Sequence, residues 1–473
     1  MTTIDLQDVQ SNVLRGYRVG EAEPHHAYVW LELGEAEAAR KTLAALLPHV
    51  TTCAKWDEGN LPFVLNVGLT YRGVQRVWPA GEVALGCKEV GHDQDPAKCS
   101  DPTNSVLVSP EFVEGMLRRA SILGDTGESA PETWEPHLAS DRVGAIVTLS
   151  GHTPAQLAAG RAVVEAALGD GATIVGTHHA AAFEDKPEGT EHFGFVDGIG
   201  QPYVEGSGLQ AWPGEGTPED GKWIPVAAGE FLLGYEGEPG SDSINAHPWL
   251  KGSSYLALRR LEEKVADFRA YVAQMADLYG VTPEWIGAKM VGRWQSGTPV
   301  VSAPDADDPA IAADKNRNND FLYEKDLEGL RCPFGAHVRR ANPRDDPTGP
   351  SLRQVRQHRI IRRATPYGAW LPEGTRDDIE RGVMFGVINA SIRNQFEYVQ
   401  LNWINDEISS RGLTLDIDKD TIAGANSGKG KYMIPRREGP VICWDLPRFV
   451  VTRGGEYFLI PSPTLLRRLA GEP

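Results

Sequence analysis

Short apolar runs alternate with longer Ala- and Leu-rich segments along the first half of the chain. Ala27 to Leu33 (AYVWLEL) predicts a strand ended by Gly34, and residues 35–47 (EAEAARKTLAALL) predict a helix that Pro48 stops. Residues 61–69 (LPFVLNVGL) and Val143 to Leu149 (VGAIVTL) predict two more strands. A helix over 154–168 (PAQLAAGRAVVEAAL) and a short strand from Ala172 to Val175 follow. The order β-α-β, β-α-β is the ferredoxin-like pattern, with helices covering one face of an antiparallel sheet.

The second half repeats the mixture less clearly. Glu230 to Leu233 and Ser254 to Leu258 predict strands. Val265, Phe268, Val272, Met275 and Leu278 recur at spacings of three and four, which predicts an amphipathic helix over 262–279, closed by Gly280. Thr282 and Pro283 open the next helix as N-cap and first residue. Val383 to Asn389 (VMFGVIN) predicts a strand followed by a helix from about Ser391. Residues 448–460 predict a hairpin turning at Gly454-Gly455, and PTLLRRLAGEP a last short helix. Two segments, 206–222 and 300–320, are rich in Gly, Pro and acid and are expected as surface loops.

The bulk numbers narrow the possible partners. A chain of 473 residues holds two or three domains' worth of core. Its formal net charge of −18 disfavours nucleic acid and anionic membrane surfaces, but leaves room for anionic small molecules at local basic clusters. No apolar run approaches the ~18 residues of a membrane span. The start, MTTIDLQDVQ, has no basic segment leading into an apolar one, so a secretory leader is not expected. Five scattered cysteines without a CxxC argue against structural zinc and suit a reducing cytoplasm.

Four stretches carry candidate chemistry. In EHFGFVDGIGQP (191–202), Asp197 sits among Gly194, Gly198 and aromatics; alone this reads first as a turn closed by its own Asp, and second as a carboxylate beside a closely approaching ligand. His192 precedes it and is a candidate iron ligand or cofactor-edge residue. In RCPFGAHVRRANPR (331–344), His337 is followed by Arg339, Arg340 and Arg344. A neutral imidazole suits haem iron, and forked guanidiniums suit carboxylates, although a partly buried histidine beside a solvated basic patch has the same appearance. HRIIRRATPYG (358–368) is either a strand end with solvated charge or an arginine aimed into an apolar pocket. In 381–403, Glu397 is either an exposed acid or the acceptor for a ligating histidine's second nitrogen.

Taken together and in this order, the four stretches resemble the dye-decolorising peroxidases, from DLQDVQSNVLRGY near the N-terminus to the helix around Glu397. FGFVDGIGQP is the most specific of them, and the length and long loops are similar to the larger bacterial members. The resemblance implies an α+β fold of two ferredoxin-like domains with antiparallel sheets, placed here at 1–222 and 223–473, with haem b held mainly in the second. It implies His337 as the proximal ligand, Asp197 as the distal acid/base and Arg362 as the distal arginine. It further implies Arg344 as a propionate partner, Glu397 as the carboxylate behind the histidine, and Val383 with Phe385 as the apolar wall of the distal pocket. Gly194 and Gly198 would let the loop backbone approach the porphyrin.

The implied reaction reduces hydrogen peroxide and oxidises dyes, phenols and similar aromatic donors, with an acidic optimum because the base is a carboxylate. Tyr367, then Trp370, are expected to carry electrons from bulky dyes. The acid-rich loops admit manganese(II) as a further substrate, though no ligand set stands out, and self-association into a homo-oligomer is allowed. The alternative is a haem-binding or haem-processing carrier, which would need His337 but neither Asp197 nor Arg362.

Overall fold

The computed structural model describes residues 3–472 except 17–21, 58–59, 80–83, 88–104, 220–221, 242, 244–245, 347–348 and 407–418. Its centre is one eight-stranded sheet. The N-terminal half supplies β1 (His25–Leu33), β2 (Val64–Leu69), β3 (Ala145–Gly151) and β4 (Ala172–Ala181). The C-terminal half supplies β5 (Ser254–Glu263), β6 (Ile361–Tyr367), β7 (Gly382–Asn389) and β8 (Val450–Ile460). The spatial order is β6-β7-β5-β8-β2-β3-β1-β4. Within each half the order is therefore second, third, first, fourth, which is the ferredoxin-like arrangement twice over. The halves join edge to edge where Leu459 of β8 pairs with Leu69 of β2. The outer strands β4 and β6 also approach one another, so the sheet curls toward closure. The connection between the halves spans 182–253, and the boundary expected at 222 falls inside it.

Local chemistry explains most elements. Helix α1 (Ala36–Leu46) and helix α2 (Pro154–Leu168) pack on the N-terminal half; α2 opens with a capping box between Thr153 and Gln156. Helix α3 (Val265–Tyr279) ends at Gly280 in the left-handed conformation, and α4 (Pro283–Val291) begins under Thr282, whose side chain accepts from Trp285 N. After Ser391 the chain winds into two π-helical stretches, Ile392–Glu397 and Val399–Ile404.

Several expectations change. Glu230 to Leu233 is not a strand: Ala228–Glu230 forms a 3-10 turn whose Glu230 carbonyl accepts from Ala390 N and Gln395 Nε2. The expected hairpin at 448–460 is a single strand with a bulge between Thr452 and Gly454. Gly454 has φ 137°, and a Cβ there would lie 2.5 Å from Leu138 Cδ1, so the glycine pair marks a bulge instead of a turn. The 300–320 segment is not simply a surface loop, since Val300, Ile311 and Asn319 are buried. Within 206–222, Ser207 and Glu215 are buried too. Cys53, Cys332 and Cys443 are buried free thiols, and Cys99 lies outside the described residues.

Candidate active site

A cavity of about 630 Å³ is lined by residues of both halves, within the ~300–1,000 Å³ typical of ligand and cofactor pockets. His337 opens a short helix, α5 (His337–Ala341), and its ring lines the cavity. Its Nδ1 stands 3.0 and 3.1 Å from the two carboxylate oxygens of Asp420. Asp420 is fully buried, and its Oδ1 also accepts from Ile422 N and Ala423 N. Burial works against its charge, but His337, Arg340 and the Ala423 N–H outweigh it and hold the carboxyl below its usual range. A carboxylate on Nδ1 keeps the proton there and leaves the lone pair on Nε2.

Across the cavity, Asp197 is aimed by a tightly bonded loop. Its N–H donates to Gly189 O at 2.8 Å, and both oxygens of Glu191 accept from the loop, from Phe193 N and Phe195 N, at 2.8 Å each. Arg362 comes from β6. Its Nη2 donates to Asp197 Oδ1 at 3.1 Å and to Ile199 O at 3.0 Å. Gln201 locks loop to strand: its Oε1 accepts from Arg362 N and its Nε2 donates to Arg362 O, each at 3.1 Å. The Asp197 side chain keeps 43% accessibility, onto the cavity. Burial pushes its pKa up, but the Arg362 charge, the Gly198 N–H and His337 together hold it below the usual value. Two neighbouring carboxyls go the other way. Burial pushes Glu191 up to about 7 and Glu263 well above its usual range.

Beside Arg362 the cavity lining is basic. Arg293, Arg344 and Arg359 are all buried and all line it. Arg344, held at φ 50°, donates to Asn319 O, Phe321 O and Asn319 Oδ1; Arg293 donates to Gly297 O, Asn318 O and Asn319 Oδ1; Arg359 donates to Gly200 O. None of the three makes an ion pair with a carboxylate among the described residues, and Nε of Arg344 and of Arg359 has no partner. Burial lowers Arg344 to about 10 and Arg293 and Arg359 to about 9. Buried cations satisfied only by carbonyls and amides form a site for an anion. A free imidazole nitrogen, apolar walls that include Val383 and Phe385, and this basic lining fit a flat iron porphyrin with carboxylate tails.

Not every expected residue belongs here. The carboxylate behind His337 is Asp420, not Glu397. Glu397 is buried in a bidentate pair with Arg119, at 2.5 and 2.6 Å, and accepts from Tyr457 OH at 2.7 Å. His192 does not line the cavity; its Nε2 pairs with Tyr367 O at 2.8 Å, and its ring packs on Phe183 and stacks with Trp370, so it is no iron ligand. Gly198 lines the cavity, but Gly194 does not; a Cβ on Gly194 would meet Gln295 Nε2 at 2.9 Å, so it serves the turn. Tyr367 is no surface residue: it is 8% accessible, with its OH donating to Glu380 Oε1 and Arg260 over its ring. Trp370 is half-buried beside Lys186 and Arg269. Asp420 had no local signal, since it lies 83 residues from His337 in an ordinary acid-rich stretch. Gln201 was in plain view inside the quoted motif, and its role needed β6 beside it.

No family model matches the chain. A dye-decolorizing peroxidase of Mycena epipterygia is 32% identical over 97% of this chain and 86% of that protein. A multifunctional dye peroxidase of Amycolatopsis is 30% identical over 98% of this chain and 96% of its own length. Among solved structures, an ancestral D-type dye decolorizing peroxidase superposes with a TM-score of 0.80 at 28% identity, covering 98% of this chain and 99% of that one. A dye-decolorizing peroxidase in complex with 2,6-dimethoxyphenol superposes at 0.81 with 26% identity, covering 99% and 100%. The cavity's donor set and these relatives agree: the chain belongs to the dye-decolorising peroxidase family and is a haem-dependent peroxidase.

Proposed function

We propose that Asp197 and Arg362 form the peroxide-cleaving pair of this enzyme, with His337 as the iron ligand backed by Asp420. The observation that carries the reading is the 3.1 Å contact between Asp197 and Arg362 inside a cavity that His337 also lines. Haem b, when bound, accepts two oxidising equivalents from hydrogen peroxide and returns them to donors one electron at a time. Asp197, kept ionised by Arg362, takes a proton from peroxide and hands it to the departing oxygen. Arg362, already fixed by Ile199 O and Gln201, stabilises the charge that develops there. His337 is made more basic by Asp420 on Nδ1. Arg344, with Arg293 and Arg359, would hold the propionates.

Phenols and dyes are the proposed donors, and a carboxylate base implies an acidic optimum. Tyr367 and Trp370 remain proposed electron carriers, Trp370 being the one with surface access. We place the protein in the cytoplasm on the buried free thiols Cys53, Cys332 and Cys443 among the described residues, which cell fractionation checks. Among the described residues no helix is long and apolar enough to cross a membrane.

The test is a peroxide titration of the haem spectrum for the wild type, Asp197→Ala and Arg362→Leu. The expected result is a Soret change at stoichiometric peroxide in the wild type and a slowed change in both variants. A haem carrier would give no such change. Equal rates in all three proteins would remove Asp197 and Arg362 from the reaction.

A further inference from the structure

Trp30 is fully buried on β1, and its indole N–H donates to Nδ1 of His178 on β4 at 2.9 Å. A buried indole needs an acceptor, but here the acceptor is a base and not a carbonyl. Because His178 Nδ1 supplies its lone pair, the neutral ring carries its proton on Nε2. That nitrogen stands 3.5 Å from Glu135 Oε1. Glu135 stays ionised: His178 first, then Arg260 at 3.0 Å, hold its carboxyl down at about 2 against burial. His137 packs alongside, its ring centre 5.6 Å from Trp30 and 5.4 Å from His178. Gly176, opposite Trp30 in the sheet, makes room for it, since a Cβ there would lie 2.6 Å from His137 Nε2.

Glu135, His137 and His178 are close enough to ligate a metal, manganese(II) included. The tautomer of His178 argues otherwise. Its Nε2 could bind a cation only by losing its proton while Nδ1 still accepts from Trp30, which would require an imidazolate. Ligating histidines use their second nitrogen as a donor. Indole, imidazole and carboxylate in this order instead form a proton-accepting chain. It also connects two places. Tyr28, two residues from Trp30 on the same face of β1 (~6.6 Å of strand rise), lines the cavity and pairs across the sheet with His178. Glu135 is 31% accessible at the other end.

We propose that Trp30 is a one-electron relay between the cavity and a donor-contact surface at Glu135, with His178 as the base that takes its indole proton. This rests on the peroxidase reading above. The peroxide-oxidised enzyme takes one electron from Trp30; the indole N–H bond breaks and its proton passes to His178 Nδ1, where Glu135 balances the imidazolium charge. A phenolic donor at the surface then gives one electron to the Trp30 radical and releases its own proton to water. His178 returns the first proton to the indole. One electron has moved from donor to cofactor, and Trp30 and His178 are restored.

The test is freeze-quench electron paramagnetic resonance of the holoenzyme after one equivalent of peroxide, for the wild type, Trp30→Phe and His178→Gln. The wild type should show a neutral tryptophanyl radical, and Trp30→Phe should lose it. His178→Gln keeps a hydrogen-bond acceptor but no base, so the signal should become the protonated cation or vanish; an unshifted resting Soret band shows that this variant is folded even where Trp30→Phe is not. A radical signal identical in the wild type and the variants overturns the relay alone. So does manganese(II) binding that His178→Gln abolishes. No Soret change with peroxide in the wild type overturns the peroxidase reading, and the relay with it.

Discussion

Two opposed influences act on Asp197. Burial disfavours its charge, and the Arg362 guanidinium is the first counterweight. Arg362→Leu leaves burial less opposed, so the Asp197 pKa rises and the basic form is lost at higher pH. The acid limb of the peroxide step should therefore move to higher pH in Arg362→Leu, as read by the rate of the Soret change across pH; an unmoved limb would mean that another group sets it. Behind His337, Asp420→Asn should weaken haem binding by about 10–100-fold, the usual cost of losing a partner that orients a ligand, measured as haem loss to an acceptor protein. Glu397→Ala should instead spare haem affinity and destabilise the fold, because Arg119 loses its bidentate partner. Breaking a buried pair that leaves its partner uncompensated costs roughly 3–5 kcal/mol; Arg119 keeps Glu114 at 2.6 Å, so the loss should fall below that range, and chemical denaturation reads it.

At the scale of elements, the site depends on how a loop meets a strand. The 191–202 segment has little regular structure, yet Glu191 and Gln201 fix it, one by two backbone N–H groups and the other by both polar groups of Arg362's peptide. The glycine pair in β8 shows how pattern alone misleads. Gly-Gly between two apolar runs has the signature of a two-residue turn, but β5 lies alongside without interruption and pairs on both sides of the bulge. Gly454→Ala should cost more than about 1 kcal/mol, because its φ of 137° is poorly tolerated by a side chain and Leu138 occupies the space; denaturant melts check this. The π-helical winding after Ser391 is equally absent from a periodicity tuned to 3.6 residues per turn.

For the whole molecule, charge and protonation set the conditions of work. Glu191 holds its proton to about 7 in the folded protein, against 4.5 as its ordinary value. Its contribution to stability is thus fully present below 4.5 and lost as pH rises through about 7. The melting temperature should fall over that window, and Glu191→Gln should flatten the slope. The net charge of −18 surrounds a cavity with a basic lining, so cationic dyes should be oxidised faster than anionic ones of similar potential, and added salt should narrow the gap. The sequence by itself determined the N-terminal ferredoxin-like half, because periods of 2 and 3.6 and the cap residues are local properties. It also marked Asp197, His337 and Arg362, because glycine, aromatic and arginine neighbours hold those residues in recognisable strings. Only the tertiary structure decided that Asp420 and not Glu397 backs His337, that His192 faces away from the cavity, that three buried arginines form its basic lining, and that Trp30 meets His178. Each of these joins residues from separate strands or loops, and which side chain of an acidic or basic stretch turns inward is set by packing that no local pattern encodes.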